Sequence, residues 1–279
     1  MADIAPPSPN KRYSDAGTAF ARLLEIMARL RTPETGCPWD LEQDFSTIAP
    51  YTIEEAYEVA DAIARSEMGE LRDELGDLLF QVAFHSQMAD EAGVFTAADV
   101  AEAIATKMVR RHPHVFEQPD DRDADGQTVA WEEMKAAERA ARGANRSVLD
   151  DVALALPALM RAEKLQKRAA RVGFDWSEPE PIFDKLAEET DELKAALASG
   201  NEEEIAEEMG DLLFVCANLS RRVGVDPEIA LREANAKFER RFRAMETLAQ
   251  KRGESFSELD LEAQEALWQA VKILEKAET

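Results

Sequence analysis

One register of carboxylates occurs twice in this chain of 279 residues. Each copy has three glutamates within five residues, a gap of fifteen residues, and then a Glu-x-x-Asp pair. The acids are Glu54, Glu55, Glu58, Glu74 and Asp77 in the first copy and Glu188, Glu189, Glu192, Glu208 and Asp211 in the second. A merely acidic surface does not need a shared register. The repeat therefore predicts two related halves that carry a duplicated metal site.

The composition predicts helices in both halves. Only 12 glycines and 12 prolines interrupt segments rich in Ala, Leu, Glu, Lys and Arg, and these residues favour helices. No stretch of alternating β-branched residues predicts a strand. We expect an all-α fold of two tandem, four-helix-bundle-like modules, with a disordered tail over residues 1–16 and helical domains over 17–142 and 147–279.

Periodicity and capping signals place the main helices. We expect the first acidic helix to begin near Thr52 in a capping box with Glu55. A second helix, which ends near Ala92, then brings the chain back. The second acidic helix is expected to begin at Pro179 or Pro181, and the helix that brings the chain back covers residues 202–223. The remaining expectations are a helix over 154–171, an acidic loop over 119–127, an inter-domain connection near 143–145, and a last helix from Ser257.

The bulk charge excludes some partners. The formal net charge is −24, so neither nucleic acid nor an anionic membrane is expected to bind. No run approaches the roughly 20 apolar residues of a membrane span, and the polar N-terminus does not resemble a signal peptide. Cys37 and Cys216 offer no disulfide framework. We therefore expect a cytoplasmic protein.

The acids are expected to meet between helices. Glu54, Glu55 and Glu58 fall within an arc of roughly 100° on a helix, and an antiparallel hairpin would direct them at the same space as Glu74 and Asp77. Crowded carboxylates repel one another unless they are protonated or neutralised by cations. All-oxygen ligands favour Mg²⁺, with Mn²⁺ as a substitute. The alternative is a solvated acidic face, but such a face would not require the same spacing of acids in both halves.

Basic residues also recur. Lys107-x-x-Arg110-Arg111 matches Lys237-x-x-Arg240-Arg241, and Trp131-x-x-x-Lys135 matches Trp268-x-x-x-Lys272. Lys and Arg on one helical face suit phosphate, although pairing with surface acids is the simpler alternative. Trp268 could stack on a nucleobase or pack in a core. The histidines His112 and His114 are weak candidates for metal ligands.

The acid register resembles that of the all-α nucleoside triphosphate pyrophosphohydrolases. Four further segments resemble the two-domain MazG proteins, and together with the acids the resemblance covers about residues 18–272. The segments are Gly36-Cys37-Pro38-Trp39-Asp40, Arg110 to Phe116, Val172-Gly173-Phe174-Asp175-Trp176 and Lys237-Phe238-Glu239-Arg240-Arg241.

The resemblance implies a homodimer of helical modules that hydrolyses NTPs and dNTPs to the monophosphate and pyrophosphate with Mg²⁺. By matching positions, the resemblance implies that the main metal ligands are Glu189, Glu192, Glu208 and Asp211, and that Glu55, Glu58, Glu74 and Asp77 form a second set. The implied nucleotide contacts are Lys185, Lys237, Arg240, Arg241 and Trp268.

Two further expectations concern catalysis. Glu188 lies beside a ligand without being assigned to the metal, so it is our candidate general base or substrate-side residue. Lys185 lies one turn before Glu189, whereas the corresponding position before Glu55 is Tyr51. This missing cation favours the second half as the catalytic site.

Other functions remain open at this point. The same scaffold could serve a narrow-specificity, dUTPase-like or signalling-nucleotide hydrolase. A non-catalytic nucleotide-sensing dimer is the alternative from a different class.

Overall fold

The computed structural model describes residues 11–117, 123–141 and 147–277, and no strand occurs among them. The predicted all-α fold is confirmed. The chain divides into two compact units between Arg139 and Ala140, which we call the first and second units.

The first unit is built around a helical hairpin. Helices α3 and α4 pack along their lengths, and α4 also packs against α1 and α5. The helices are α1 (Lys11–Leu30), α2 (Pro38–Glu42), α3 (Phe45–Arg65), α4 (Met68–Glu91), α5 (Ala97–Arg111), α6 (Pro113–Phe116) and α7 (Ala124–Ala141).

The first acidic helix begins earlier than Thr52, and this prediction was wrong. Asp44 caps α3 by accepting hydrogen bonds from the amides of Ser46 (2.8 Å) and Thr47 (2.9 Å), while Thr47 Oγ1 accepts one from the Asp44 amide (2.9 Å). This capping box nucleates the helix two turns upstream, and Pro50 is tolerated within it. Thr52 is instead an interior residue whose Oγ1 bonds His85 Nε2 at 3.0 Å.

The core of the first unit lies between α1, α3 and α4. Buried Met27, Ile48 and Phe84 pack together with Ala83 and Met88. Arg31 spans the edge of this core: its guanidinium lies 5.3 Å from the centre of the Phe84 ring and donates to Glu91 at 2.8 Å. It also donates to the backbone carbonyl of Asp40, so one nearly buried cation joins α1, α2 and α4.

The second unit repeats the hairpin. Helices α9 and α10 pack along their lengths, α8 and α11 lie against α10, and α12 packs on α11. The helices are α8 (Ala158–Ala170), α9 (Glu180–Ser199), α10 (Glu202–Arg222), α11 (Pro227–Lys251) and α12 (Leu261–Ala277), with a 3₁₀ turn at Phe256–Glu258 before α12. Buried Met245, Ala249, Leu267 and Val271 hold α11 to α12.

Helix boundaries in the second unit follow local chemistry. Asp226 caps α11 by accepting from the amides of Glu228 and Ile229 at 3.0 Å. Gly200 closes α9 with a φ of +73°, a left-handed conformation that glycine adopts without strain.

Four other predictions need correction. The last helix, α12, begins at Leu261 and not at Ser257, which lies in the 3₁₀ turn. Residues 11–16 are helical rather than part of a disordered tail, because α1 begins at Lys11. Helix α7 begins at Ala124, inside the predicted acidic loop. Helix α8 begins at Ala158, after Pro157, and not at Leu154. The tail over 1–10, the loop over 119–122 and the connection at 143–145 lie outside the described residues.

Among the described helices, none is both long and apolar enough to cross a membrane.

Candidate active site

The hairpin of the second unit brings its acids together. Carboxylate oxygens of Glu189, Glu208 and Asp211 lie within 4.8 Å of one another. Glu189 is only 4% exposed, although it carries a carboxylate. Glu192, the fourth predicted ligand, lies close enough to raise the pKa of Glu208. The register on α9 and α10 therefore produces one compact cluster.

The cluster is electrostatically strained. The pKa of Glu208 is raised, first by its withdrawal from water and then by the charges of Glu192, Glu189 and Asp211. Both effects disfavour an ionised carboxylate. A bound cation would relieve the repulsion.

Lys185 supplies one positive charge at the edge of this cluster. Its Nζ lies 2.7 Å from Glu189 Oε1 and 2.8 Å from Glu188 Oε1. These two carboxylates raise the pKa of Lys185 above its ordinary value. Glu188 itself is mostly exposed, at the rim of the cluster. One lysine therefore bridges the candidate base and a candidate metal ligand.

The hairpin of the first unit forms a similar cluster. Oxygens of Glu55, Glu58 and Glu74 lie within 4.8 Å of one another. The pKa of Glu55 is raised by withdrawal from water and then by Asp77 and Glu58, so Asp77 belongs to the same group of charges.

The two clusters differ at the position before the acids. Where the second unit has Lys185, Tyr51 packs edge-on against Trp39, with the ring centres 6.1 Å apart. An aromatic contact in the first unit thus replaces the cation.

Both clusters fit a hard divalent ion. Each consists of oxygen donors alone, at distances that a single ion can bridge. Each also contains a glutamate whose pKa is raised by withdrawal from water and then by neighbouring carboxylates. Oxygen donors of this kind suit Mg²⁺ or Mn²⁺ and disfavour soft metals.

A pocket of about 700 Å³ opens beside the second cluster. Lys185, Glu189 and Asp211 line it, together with residues of α8, α10 and the turn before α9. Its walls include apolar Leu165, Phe174, Trp176, Phe214 and Val215. A largely apolar cleft with a few converging polar groups is the usual form of a small-molecule site.

The sequence prediction missed four polar residues of this pocket: Gln166, Asp175, Asn218 and Arg221. Arg221 donates to the Asp175 carboxylate and, at 2.7 Å, to Asn218 Oδ1. Gln166 Nε2 donates to the Phe214 carbonyl at 2.8 Å. The available signal was a polar Asn218 at the position where the first copy of the repeat has Phe84.

The predicted nucleotide-binding residues of α11 and α12 do not line this pocket. Arg240 and Arg241 each donate to Glu275, at 3.0 and 2.7 Å. Arg241 lies 5.5 Å from the centre of the Trp268 ring, and Trp268 also packs on the core between the two helices. Lys237 lies on α11, one turn before Arg241. The basic residues therefore form a separate face within the second unit.

Comparison with known proteins connects these features to a family. A model of the MazG nucleotide pyrophosphohydrolase domain matches residues 43–116 and again residues 177–245. The chain is 54% identical to the nucleoside triphosphate pyrophosphohydrolase of Escherichia coli K12 over 90% of its own length and 96% of that protein. It is 43% identical to the nucleoside triphosphate pyrophosphohydrolase/pyrophosphatase MazG of Thermotoga maritima over 92% and 97%, respectively. The nucleoside triphosphate pyrophosphohydrolase of Mycobacterium tuberculosis is 38% identical over 55% of this chain and 46% of that protein. With the family domain present in both units, the chain belongs to the MazG nucleotide pyrophosphohydrolase family.

Proposed function

We propose that this protein is a Mg²⁺-dependent hydrolase that converts NTPs and dNTPs to the monophosphate and pyrophosphate. The observation that carries the proposal is the carboxylate cluster of Glu189, Glu208 and Asp211 beside a pocket large enough for a nucleotide. The names of the related enzymes agree with this activity.

Glu189, Glu192, Glu208 and Asp211 would hold the metal of the main site. When bound, Mg²⁺ neutralises triphosphate charge and lowers the pKa of a water that can attack the α-phosphorus. Mn²⁺ can substitute because it accepts the same ligands. The first unit's Glu55, Glu58, Glu74 and Asp77 would form a second site.

The charged side chains around the cluster have distinct roles in this proposal. Lys185 exchanges its contact with Glu189 for a phosphate oxygen, because metal and lysine compete for the same carboxylate. Glu188 keeps its exposed carboxylate free of the metal and accepts a proton from the attacking water. This assignment predicts a loss of turnover without loss of metal affinity when Glu188 is changed.

The basic face of α11 and α12 is the proposed partner of the triphosphate or base. Lys237, Arg240 and Arg241 can stabilise charge on the pyrophosphate leaving group, and Trp268 can stack on a base. Because Glu275 accepts from both arginines, phosphate binding at this face requires exchange of those ion pairs.

The second unit is the better candidate for catalysis. In the first unit, Phe84 occupies the helical position that corresponds to Asn218 and is buried against Met27 and Ile48. The position of a polar pocket residue in the second unit therefore belongs to the apolar core in the first. Together with Tyr51 in place of Lys185, this favours a structural role for the first unit.

A pyrophosphate-release assay with all eight common NTPs and dNTPs tests the proposal. Turnover of many nucleotides with Mg²⁺, abolished by EDTA, is the expected result. One dominant substrate would support the narrow-specificity hydrolase. Metal-dependent binding without turnover would refute hydrolysis and support the nucleotide-sensing alternative.

We also propose a homodimer of chains with domains at 17–142 and 147–279. Large apolar side chains such as Phe238 and Ile273 remain exposed on α11 and α12, as expected of surfaces covered by another subunit. Light scattering after size exclusion tests this directly, and a mass of one chain would contradict it.

A further inference from the structure

We propose that the part of the pocket formed by Asn218 and Gln166 binds the nucleobase, and that these two side chains contact its hydrogen-bonding edge. This inference rests on the proposed hydrolysis of nucleoside triphosphates and specifies the substrate contacts of that same site. It places the base inside one subunit, away from the basic face of α11 and α12.

The spacing of two lining residues along α10 supports this placement. Asp211 and Asn218 both line the pocket from α10, and seven residues of helix separate them by about 10 Å along the axis. A nucleotide with its α-phosphate at Glu189 and Asp211 can extend its ribose and base along α10, because Asn218 lines the same pocket. The base then reaches the level of Asn218.

The orientation of the Asn218 amide is fixed by its neighbour. Arg221 donates to Asn218 Oδ1 from Nε at 3.2 Å and from Nη2 at 2.7 Å. A guanidinium can only donate, so the acceptor oxygen must face it. The Asn218 NH₂ group makes no hydrogen bond to the described residues and remains a donor for a ligand, although the residue is only 8% exposed.

Gln166 supplies the complementary acceptor. Its Nε2 must face the Phe214 carbonyl, to which it donates at 2.8 Å, so Oε1 points the other way. Oε1 is buried and has no partner among the described residues, while Gln166 is 7% exposed and lines the pocket. A buried acceptor without a partner carries an energetic cost that a ligand donor can remove.

Apolar surfaces flank this pair of amides. Phe174 and Trp176 come from the turn before α9, and Phe214 comes from α10. The ion pair between Asp175 and Arg221 fixes that turn against α10. A flat aromatic ring seated between such walls, with its edge hydrogen-bonded, is how proteins commonly hold an isolated base.

The donor and acceptor together suit every common base. Each base carries a hydrogen-bond acceptor next to a donor on its ring edge. A shift or rotation of the base can therefore place its acceptor at the Asn218 donor and its donor at the Gln166 acceptor. The subsite therefore favours triphosphates that carry a base over base-free polyphosphates, with limited preference among bases.

Two variants of the full-length protein test the proposal. Asn218→Asp keeps an acceptor for Arg221, replaces the donor with a second acceptor and adds one negative charge beside that guanidinium. Gln166→Met removes the acceptor without adding charge. The measurements are KM and kcat for CTP and ATP, and the inhibition constant of inorganic tripolyphosphate, which lacks a base. We expect each variant to raise KM by about tenfold, because a polar contact is lost, with kcat and the tripolyphosphate constant nearly unchanged.

The matched control is Asn201→Asp, the same chemical change at the exposed N-cap of α10, where aspartate caps equally well. It should leave all constants unchanged. An unchanged KM in both pocket variants, or an equal loss of CTP and tripolyphosphate binding, would overturn the base subsite while leaving hydrolysis intact. The same selective loss in Trp268→Ala alone would instead place the base at α12. A wild-type protein that releases no pyrophosphate would refute both proposals.

Discussion

Replacing Phe84 with alanine should destabilise the first unit without removing catalysis. Phe84 is 1% exposed, lies edge-on to Phe80 with the ring centres 6.1 Å apart, and contacts the Arg31 guanidinium. Truncation of a buried phenylalanine costs roughly 3–5 kcal/mol. For a unit of about 130 residues, a loss of about 4 kcal/mol lowers the melting temperature by about 15 °C.

Calorimetry and activity measured together test this expectation. The melting temperature of the first unit should fall in Phe84→Ala, while kcat/KM at 20 °C stays within about threefold of wild type, because Glu189, Glu208 and Asp211 lie in the second unit. Leu79→Ala is the control on the same helix; Leu79 is 42% exposed, and its loss should cost less than about 1 kcal/mol. A folded Phe84→Ala protein with activity reduced tenfold or more would refute a purely structural first unit.

Three further perturbations test individual contacts. Lys185→Gln should bind Mg²⁺ severalfold more tightly in the absence of nucleotide, because a competing cation is removed, but its kcat/KM for ATP should fall. Calorimetric titration measures the Mg²⁺ affinity and a rate assay measures kcat/KM. The control Lys194→Gln, which removes an exposed ion pair on the same helix, should change neither quantity. Glu188→Gln should lower kcat by about 100-fold, in the range of general-base catalysis, with the Mg²⁺ constant unchanged, and weakened Mg²⁺ binding would make Glu188 a ligand. The Arg31 guanidinium lowers the pKa of Glu91, so this pair stabilises the fold above the ordinary glutamate pKa, and the stabilisation is lost as pH falls through the lowered value. The stability difference between wild type and Glu91→Gln in urea should therefore be largest near pH 7 and shrink below about pH 4, and a constant difference would contradict the pairing.

The sequence predicted the elements whose signals are local and repeated. The spacing of the acids required two helices, and the glycine at position 200 marked the turn between them, so the hairpins and their carboxylate clusters follow from the chain alone. The start of α3 did not, because Thr52 with Glu55 and Asp44 with Thr47 are both capping patterns. In the folded chain, Ile48 packs into the core and therefore favours the upstream start.

The pocket could not be derived in the same way. Its polar groups come from separate elements: Asp175 precedes α9, Arg221 ends α10, and Gln166 lies on α8. No short-range pattern connects them, and their partners are set by how the three helices pack. A comparison of the two halves carried one usable signal, because polar Asn218 lies at the position where the first unit has the buried Phe84.

The most direct test of a catalytic second unit compares Glu189→Gln with Glu55→Gln in the pyrophosphate-release assay. Each change replaces one candidate ligand by a neutral side chain of the same size at corresponding positions. Mutation of a residue that only hydrogen-bonds to a metal ligand costs about 10–100-fold in activity or metal affinity. Because Glu189 is itself a candidate ligand, Glu189→Gln should lose about 100-fold or more in activity. Glu55→Gln should keep nearly full activity. Full activity in Glu189→Gln with loss in Glu55→Gln would contradict the account and place catalysis in the first unit.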